Sequence, residues 1–83
     1  MTNPVSVERL VQELEKLKVE MDAGQLGHSE YDQRLARVIQ ELRERGLDAD
    51  RPKMKEALES LVQRGVITPG VKTHLEKRLG LVA

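Results

Sequence analysis

Four glycines, Gly24, Gly46, Gly65 and Gly80, each close a stretch of aliphatic residues spaced three and four apart, and they divide the chain into four segments. That spacing places the apolar side chains on one face of a helix. The first stripe is Val7, Leu10, Leu14, Leu17 and Met21, with Val11 widening it. The second is Tyr31, Leu35, Val38, Ile39 and Leu42; the third is Met54, Ala57, Leu58, Leu61 and Val62; the fourth is Val71, Leu75 and Leu79. Glycine suits the stop because it adopts the left-handed conformation that a helix C-terminus favours.

The starts are marked too. Asn3–Pro4 is a cap followed by proline at the first helical position, which predicts helix one over 4–23. Ser29, with Asp32 three residues on, predicts the start of helix two. Leu47, just past Gly46, is expected to fold back on the last turn of that helix, and Pro52 marks the third start. Thr68–Pro69 repeats the cap-and-proline arrangement for the fourth.

The two inter-helix turns match each other. Gly24 and Gly65 are 41 residues apart, as are Leu26 and Ile67, and Leu17 and Leu58; beyond the turn the offset becomes 40, pairing Tyr31 with Val71 and Leu35 with Leu75. Each turn is too short for anything except a reversal between neighbouring helices. The sequence therefore predicts an all-α fold of two antiparallel helical hairpins forming a small four-helix bundle. It is a single domain over 1–83, with a first hairpin at 1–46, a connector at 47–52 and a second hairpin at 53–83. An 83-residue chain with no Trp or Phe, one Tyr and 34% charged residues fits such a helical core better than a sheet.

The helix–Gly–x–(Leu/Ile)–(Ser/Thr) phrase, followed by acidic residues and an aromatic, resembles the short C-terminal (SHOCT-type) helical module of bacterial proteins. Gly24, Leu26, Ser29, Glu30, Tyr31 and Leu35 carry the likeness, with Gly27 and His28 as two extra residues before the cap. Gly65, Ile67, Thr68 and Val71 carry a weaker second copy, with Pro69 and Gly70 where acidic residues belong. The likeness covers about two-thirds of the chain; similar phrases occur in accessory proteins of gas vesicles and of cytochrome c assembly. It implies an oligomerisation or adaptor role in a bacterial or phage protein.

Chemistry is sparse. There are no cysteines, no phosphate-binding glycine loop and no histidine pair at ligand spacing. His28 and His74 stand alone, and Ser29 and Thr68 are accounted for by capping. The expectation is a non-enzymatic protein without cofactor, metal or small-molecule substrate. No stretch has the length and apolarity to span a membrane, and "MTNPVSVERL" does not read as a signal peptide, so the expected place is the cytoplasm.

The expected partner is another protein or a second copy of the chain. With helices three and four shorter than one and two, the second hairpin is expected to stop short of the first hairpin's turn. Met21, Leu26 and Tyr31, supported by Leu17 and Leu35, would then form an exposed apolar tip for partner binding. Charge is uneven: residues 1–50 hold seven Lys/Arg against eleven Asp/Glu, and residues 51–83 hold seven against three, a split of −4 and +4. Arg9–Glu13, Lys16–Glu20 and Glu41–Arg45 are expected as pairs along helices. The alternative is a nucleic-acid-binding regulator using Lys53, Lys55, Arg64, Lys72, Lys77 and Arg78 of the basic half, although a net charge of zero gives a weak electrostatic footprint.

Overall fold

The computed structural model describes residues 4–48 and 50–81, and the element order is β1 (Val5–Ser6), α1 (Val7–Asp22), α2 (His28–Arg45), β2 (Leu47–Asp48), α3 (Arg51–Gln63) and α4 (Pro69–Arg78). The fold is all-α apart from the two-residue strands, which pair in parallel with Val5 opposite Leu47 and Ser6 opposite Asp48. The radius of gyration is 12.3 Å, against about 12 Å for a compact chain of this length.

The first helix begins later than its proline suggests. Ser6 is the N-cap, its hydroxyl accepting from the Arg9 amide at 3.1 Å. Pro4 lies outside the helix, and the expected cap at Asn3 falls outside the described residues. Val5 is instead held by pairing: its amide donates to the Gly46 carbonyl at 2.9 Å. Sequence spacing gives no hint of a partner more than forty residues away. The pair acts as a clasp across the open end of α1 and α2.

The two turns have the same construction. At the first, the Gly24 amide donates to the Met21 carbonyl (3.1 Å) and the Gln25 amide to the Glu20 carbonyl (2.9 Å). At the second, Gly65 donates to Val62 (3.0 Å) and Val66 to Leu61 (2.9 Å). This double bond pattern is a Schellman motif, and it requires the left-handed φ of +76° at Gly24 and +77° at Gly65. One buried aliphatic follows two residues later, Leu26 or Ile67, and the next residue caps the new helix. In the second turn that cap is Thr68, whose hydroxyl accepts from the Val71 amide at 3.1 Å, as the sequence predicts. In the first turn it is Gly27 rather than Ser29, which lies one residue inside α2. Gly27 has no side chain to offer, so only the return contact forms: its amide donates to Glu30 Oε1 at 3.4 Å. Asp50 caps α3, accepting from the Lys53 amide at 2.9 Å.

Packing proceeds from α2 to α1, from α1 to α3 and from α3 to α4. The stripes predicted from spacing meet in one core, where Leu14, Met54, Leu58 and Leu75 are fully buried and Leu10 and Leu61 nearly so. No polar side chain is buried among the described residues, and Val19 is the large apolar side chain left exposed. Of the expected helical ion pairs, Glu41–Arg45 forms at 3.1 Å. Arg9 reaches across to Glu41 at 2.9 Å instead of Glu13, and Glu20 pairs with Arg34 at 3.8 Å instead of Lys16. Neighbouring helices compete for these charges, and a helix-only reading cannot see the competitor. Arg64 pairs with Glu15, joining the basic half of the chain to the acidic half.

Candidate functional site

The expected exposed tip is covered. Leu17, Leu26, Tyr31 and Leu35 are all buried, and Met21 is partly buried against the core. The reason is length. With α1 at 16 residues and α3 at 13, the helices differ by only about 4–5 Å at ~1.5 Å per residue. The second turn therefore reaches the first. Met21 and Tyr31 share a crevice of about 190 Å³ with Val66, Ile67 and Val71. Burial, together with the neighbouring Asp32 carboxylate and against the opposing pull of Lys18, holds the Tyr31 phenol above its ordinary value.

The basic residues of the second half divide into two groups. Arg64 is engaged by Glu15, and Lys72 donates to Glu59 Oε2 at 2.7 Å. That contact lowers the Glu59 pKa and raises that of Lys72. Lys53, Lys55, Lys77 and Arg78 are exposed. The lone tyrosine is buried and the chain has no Trp or Phe, so the exposed rings of the described surface are the imidazoles of His28 and His74.

A different feature lies between α2 and α4. These helices are the two ends of the packing order, and three clefts run along the seam between them. The first, beside the second turn, is lined by Asp32, Leu35, Thr68, Gly70, Val71 and His74. The second shares His74 with the first and adds Ala36, Ile39, Gln40, Arg43, Glu44 and Arg78, with a volume of about 560 Å³. The third, about 500 Å³, shares Arg43 and Arg78 with the second and continues over Leu42, Met54, Leu79 and Leu81 to Arg51. The shared residues make one shallow groove with an aliphatic floor. A further groove between α1 and α2, about 280 Å³, is crossed by the Arg9–Glu41 and Arg34–Glu20 pairs.

Arg43, Arg51 and Arg78 have no ion-pair partner among the described residues, and no carboxylate lines the third cleft. Arg78 is in the sequence-derived basic set. Arg43 and Arg51 are not, because they lie on separate helices and meet only through the fold. The charge imbalance was the one available signal, and it counted Arg43 on the acidic side.

Among the described residues no group of three or more His, Cys, Asp or Glu side chains is placed to hold a metal ion, and no helix is long and apolar enough to cross a membrane. No family model, no curated protein and no solved structure matches this chain.

Proposed function

We propose that the chain is a small protein-interaction module, an adaptor or assembly factor, built as two antiparallel helical hairpins and working without catalysis. The observation that carries this reading is the continuous groove between α2 and α4. Its walls are two helices and its floor is aliphatic, the shape in which a partner helix lays an apolar face. Ala36 and Gly70 keep the walls low, so a third backbone can approach. The likeness of the first turn to the SHOCT-type module supports the same class of role. The partner-binding role first assigned to Leu17, Met21, Leu26, Tyr31 and Leu35 passes mainly to this groove, in which Leu35 takes part. The other four support it from the core.

The test uses Ala36→Arg. Ala36 is exposed, so the larger side chain projects into the groove without entering the core. Bait protein and the variant are compared in affinity capture from the source cells, after circular dichroism shows equal helicity. A specific protein retained by the parent chain and lost by Ala36→Arg supports the groove. Equal retention refutes it. Capture that disappears with nuclease, or that falls steeply with salt on a defined oligonucleotide, favours the nucleic-acid-binding reading.

A further inference from the structure

We infer that the end of this groove beside β2 is built to receive an acidic segment of the partner, with carboxylates against Arg43, Arg51 and Arg78 and an aliphatic side chain on the floor between them. The inference rests on the groove reading and adds the chemistry of its occupant.

Three observations lead there. The first is convergence. Arg43 comes from the last turns of α2, Arg51 from the start of α3 and Arg78 from the end of α4, yet all three line one cleft that contains no carboxylate; Glu44, which lines the adjoining cleft, accepts from Gln40 at 3.1 Å and pairs with none of them. The second is that local structure does not account for all of them. Arg43 and Arg78 sit near helix C-termini, where a cation is favoured by the helix dipole. Arg51 has the opposite position: it is the first residue of α3, whose first turn contains no acidic residue, and a cation there is disfavoured. A residue that breaks the local rule without an ion-pair partner marks a place where something other than fold stability is served. The third is the floor. Leu47 and Leu79 are half-buried between the arginines, and Leu42, Met54 and Leu81 lie beneath.

Those properties select among anionic partners. Guanidinium groups bind carboxylate and phosphate alike through paired N–H donors. A nucleic-acid backbone would leave the aliphatic floor unused, and among the described residues its bases find no exposed Tyr, Trp or Phe to stack on, only the His74 imidazole further along the groove. A peptide with carboxylates flanking a leucine-like side chain uses both the rim and the floor.

The experiment employs a defined probe: a 12-residue capped helical peptide bearing Glu at i and i+4 around a central Leu, and its twin with both Glu replaced by Gln. Binding is followed by NMR on the full chain, reading the arginine Nε–H resonances and the backbone amides. The acidic peptide is expected to shift Arg43, Arg51 and Arg78 and to weaken as salt is raised. The Gln twin, and separately the variant carrying Arg43→Gln with Arg78→Gln, should each bind about tenfold more weakly or worse. Both arginines are exposed, so this variant is expected to keep parental helicity. Equal binding of the two peptides overturns the acidic preference, as does the absence of any arginine shift at millimolar peptide. A short DNA duplex or inorganic phosphate that displaces the peptide at lower concentration overturns it in favour of a phosphate ligand. Ala36→Arg separates the two claims. If the parent binds both peptides equally and the variant blocks both, the groove stands and the acidic inference falls; if the variant blocks neither while the Gln twin stays weak, acid recognition stands and the groove reading falls.

Discussion

Replacing Gly65 with alanine should destabilise the chain by about 1 kcal/mol, and the structure fixes both the sign and the reason. An added Cβ at Gly65 meets no atom within 4 Å, so there is no steric contact to consider. What remains is conformation: φ is +77°, and an L-residue held there pays roughly 1–2 kcal/mol. Alanine also restricts the unfolded chain, which returns about 0.4–1 kcal/mol. The net is a loss of about 0.5–1 kcal/mol, and asparagine, which tolerates the left-handed region, should lose less. Gly70, only five residues on, provides the opposite case. It lies in the first turn of α4, and a Cβ there sits 3.7 Å from Thr68 Oγ1, an ordinary contact. Alanine at that site should stabilise, by up to about 1 kcal/mol. Urea denaturation followed by the helical circular-dichroism signal reads these changes. With a slope of roughly 1 kcal/mol per molar, the Gly65→Ala midpoint falls by about 0.5–1 M and the Gly70→Ala midpoint rises. Gly24→Ala should match Gly65→Ala within a few tenths, because the turns share one geometry, and the two losses should add. A neutral or stabilising Gly65→Ala would mean that the left-handed turn is absent in solution and that the two turns do not share one geometry.

Leu58 is fully buried at the centre of the core, so Leu58→Ala should cost about 2–5 kcal/mol; a domain of this length holds only about 4–12 kcal/mol in total, and thermal unfolding should show most of the native population lost on mild warming. Tyr31 is the one phenol, with no Trp to interfere, and ultraviolet titration should place its ionisation above the ordinary 10.0. Because the folded chain holds the phenol proton more tightly than the unfolded one, this group's contribution is intact below pH 10 and is lost as pH rises through the elevated value. Arg64 and Glu15 are each about half or two-fifths exposed, and their coupling in a double-mutant cycle should be under about 1 kcal/mol and shrink in salt. A larger, salt-insensitive coupling would show that the pair, and not the aliphatic core, holds the two halves together.

The helices were readable because each carries its own period and its own stop. What escaped were features decided by partners distant in sequence. The clasp at Val5 depends on Gly46, and no local pattern distinguishes Val5–Ser6 from the first turn of α1. The cap of α2 was legible in principle. Gly65 and Thr68 are three apart, and copying that interval onto Gly24 points to Gly27, whereas the hydroxyl of Ser29 drew attention two residues too far. The tip failed through arithmetic: α1 is three residues shorter than expected at its start and one at its end, which removes most of the overhang that exposure required. The arginine cleft failed for a different reason. Charge was counted along the chain, while Arg43, Arg51 and Arg78 are gathered across it.

The clasp also sets how the molecule breathes. By joining Val5–Ser6 to Leu47–Asp48 it ties the first two helices into a closed loop before the third begins. The last two helices have 13 and 10 residues, at or below the roughly 12–15 at which a lone helix is marginal in water, and among the described residues no second clasp secures them. The expected order of opening follows: α3 and α4 should lift before α1 and α2 part. Hydrogen exchange should then show the amides of α4 less protected than those of α1 and α2. The wall of the groove that would receive a partner is thus the part of the fold expected to yield first, and an occupant spanning α2 and α4 would close the loop that the backbone leaves open.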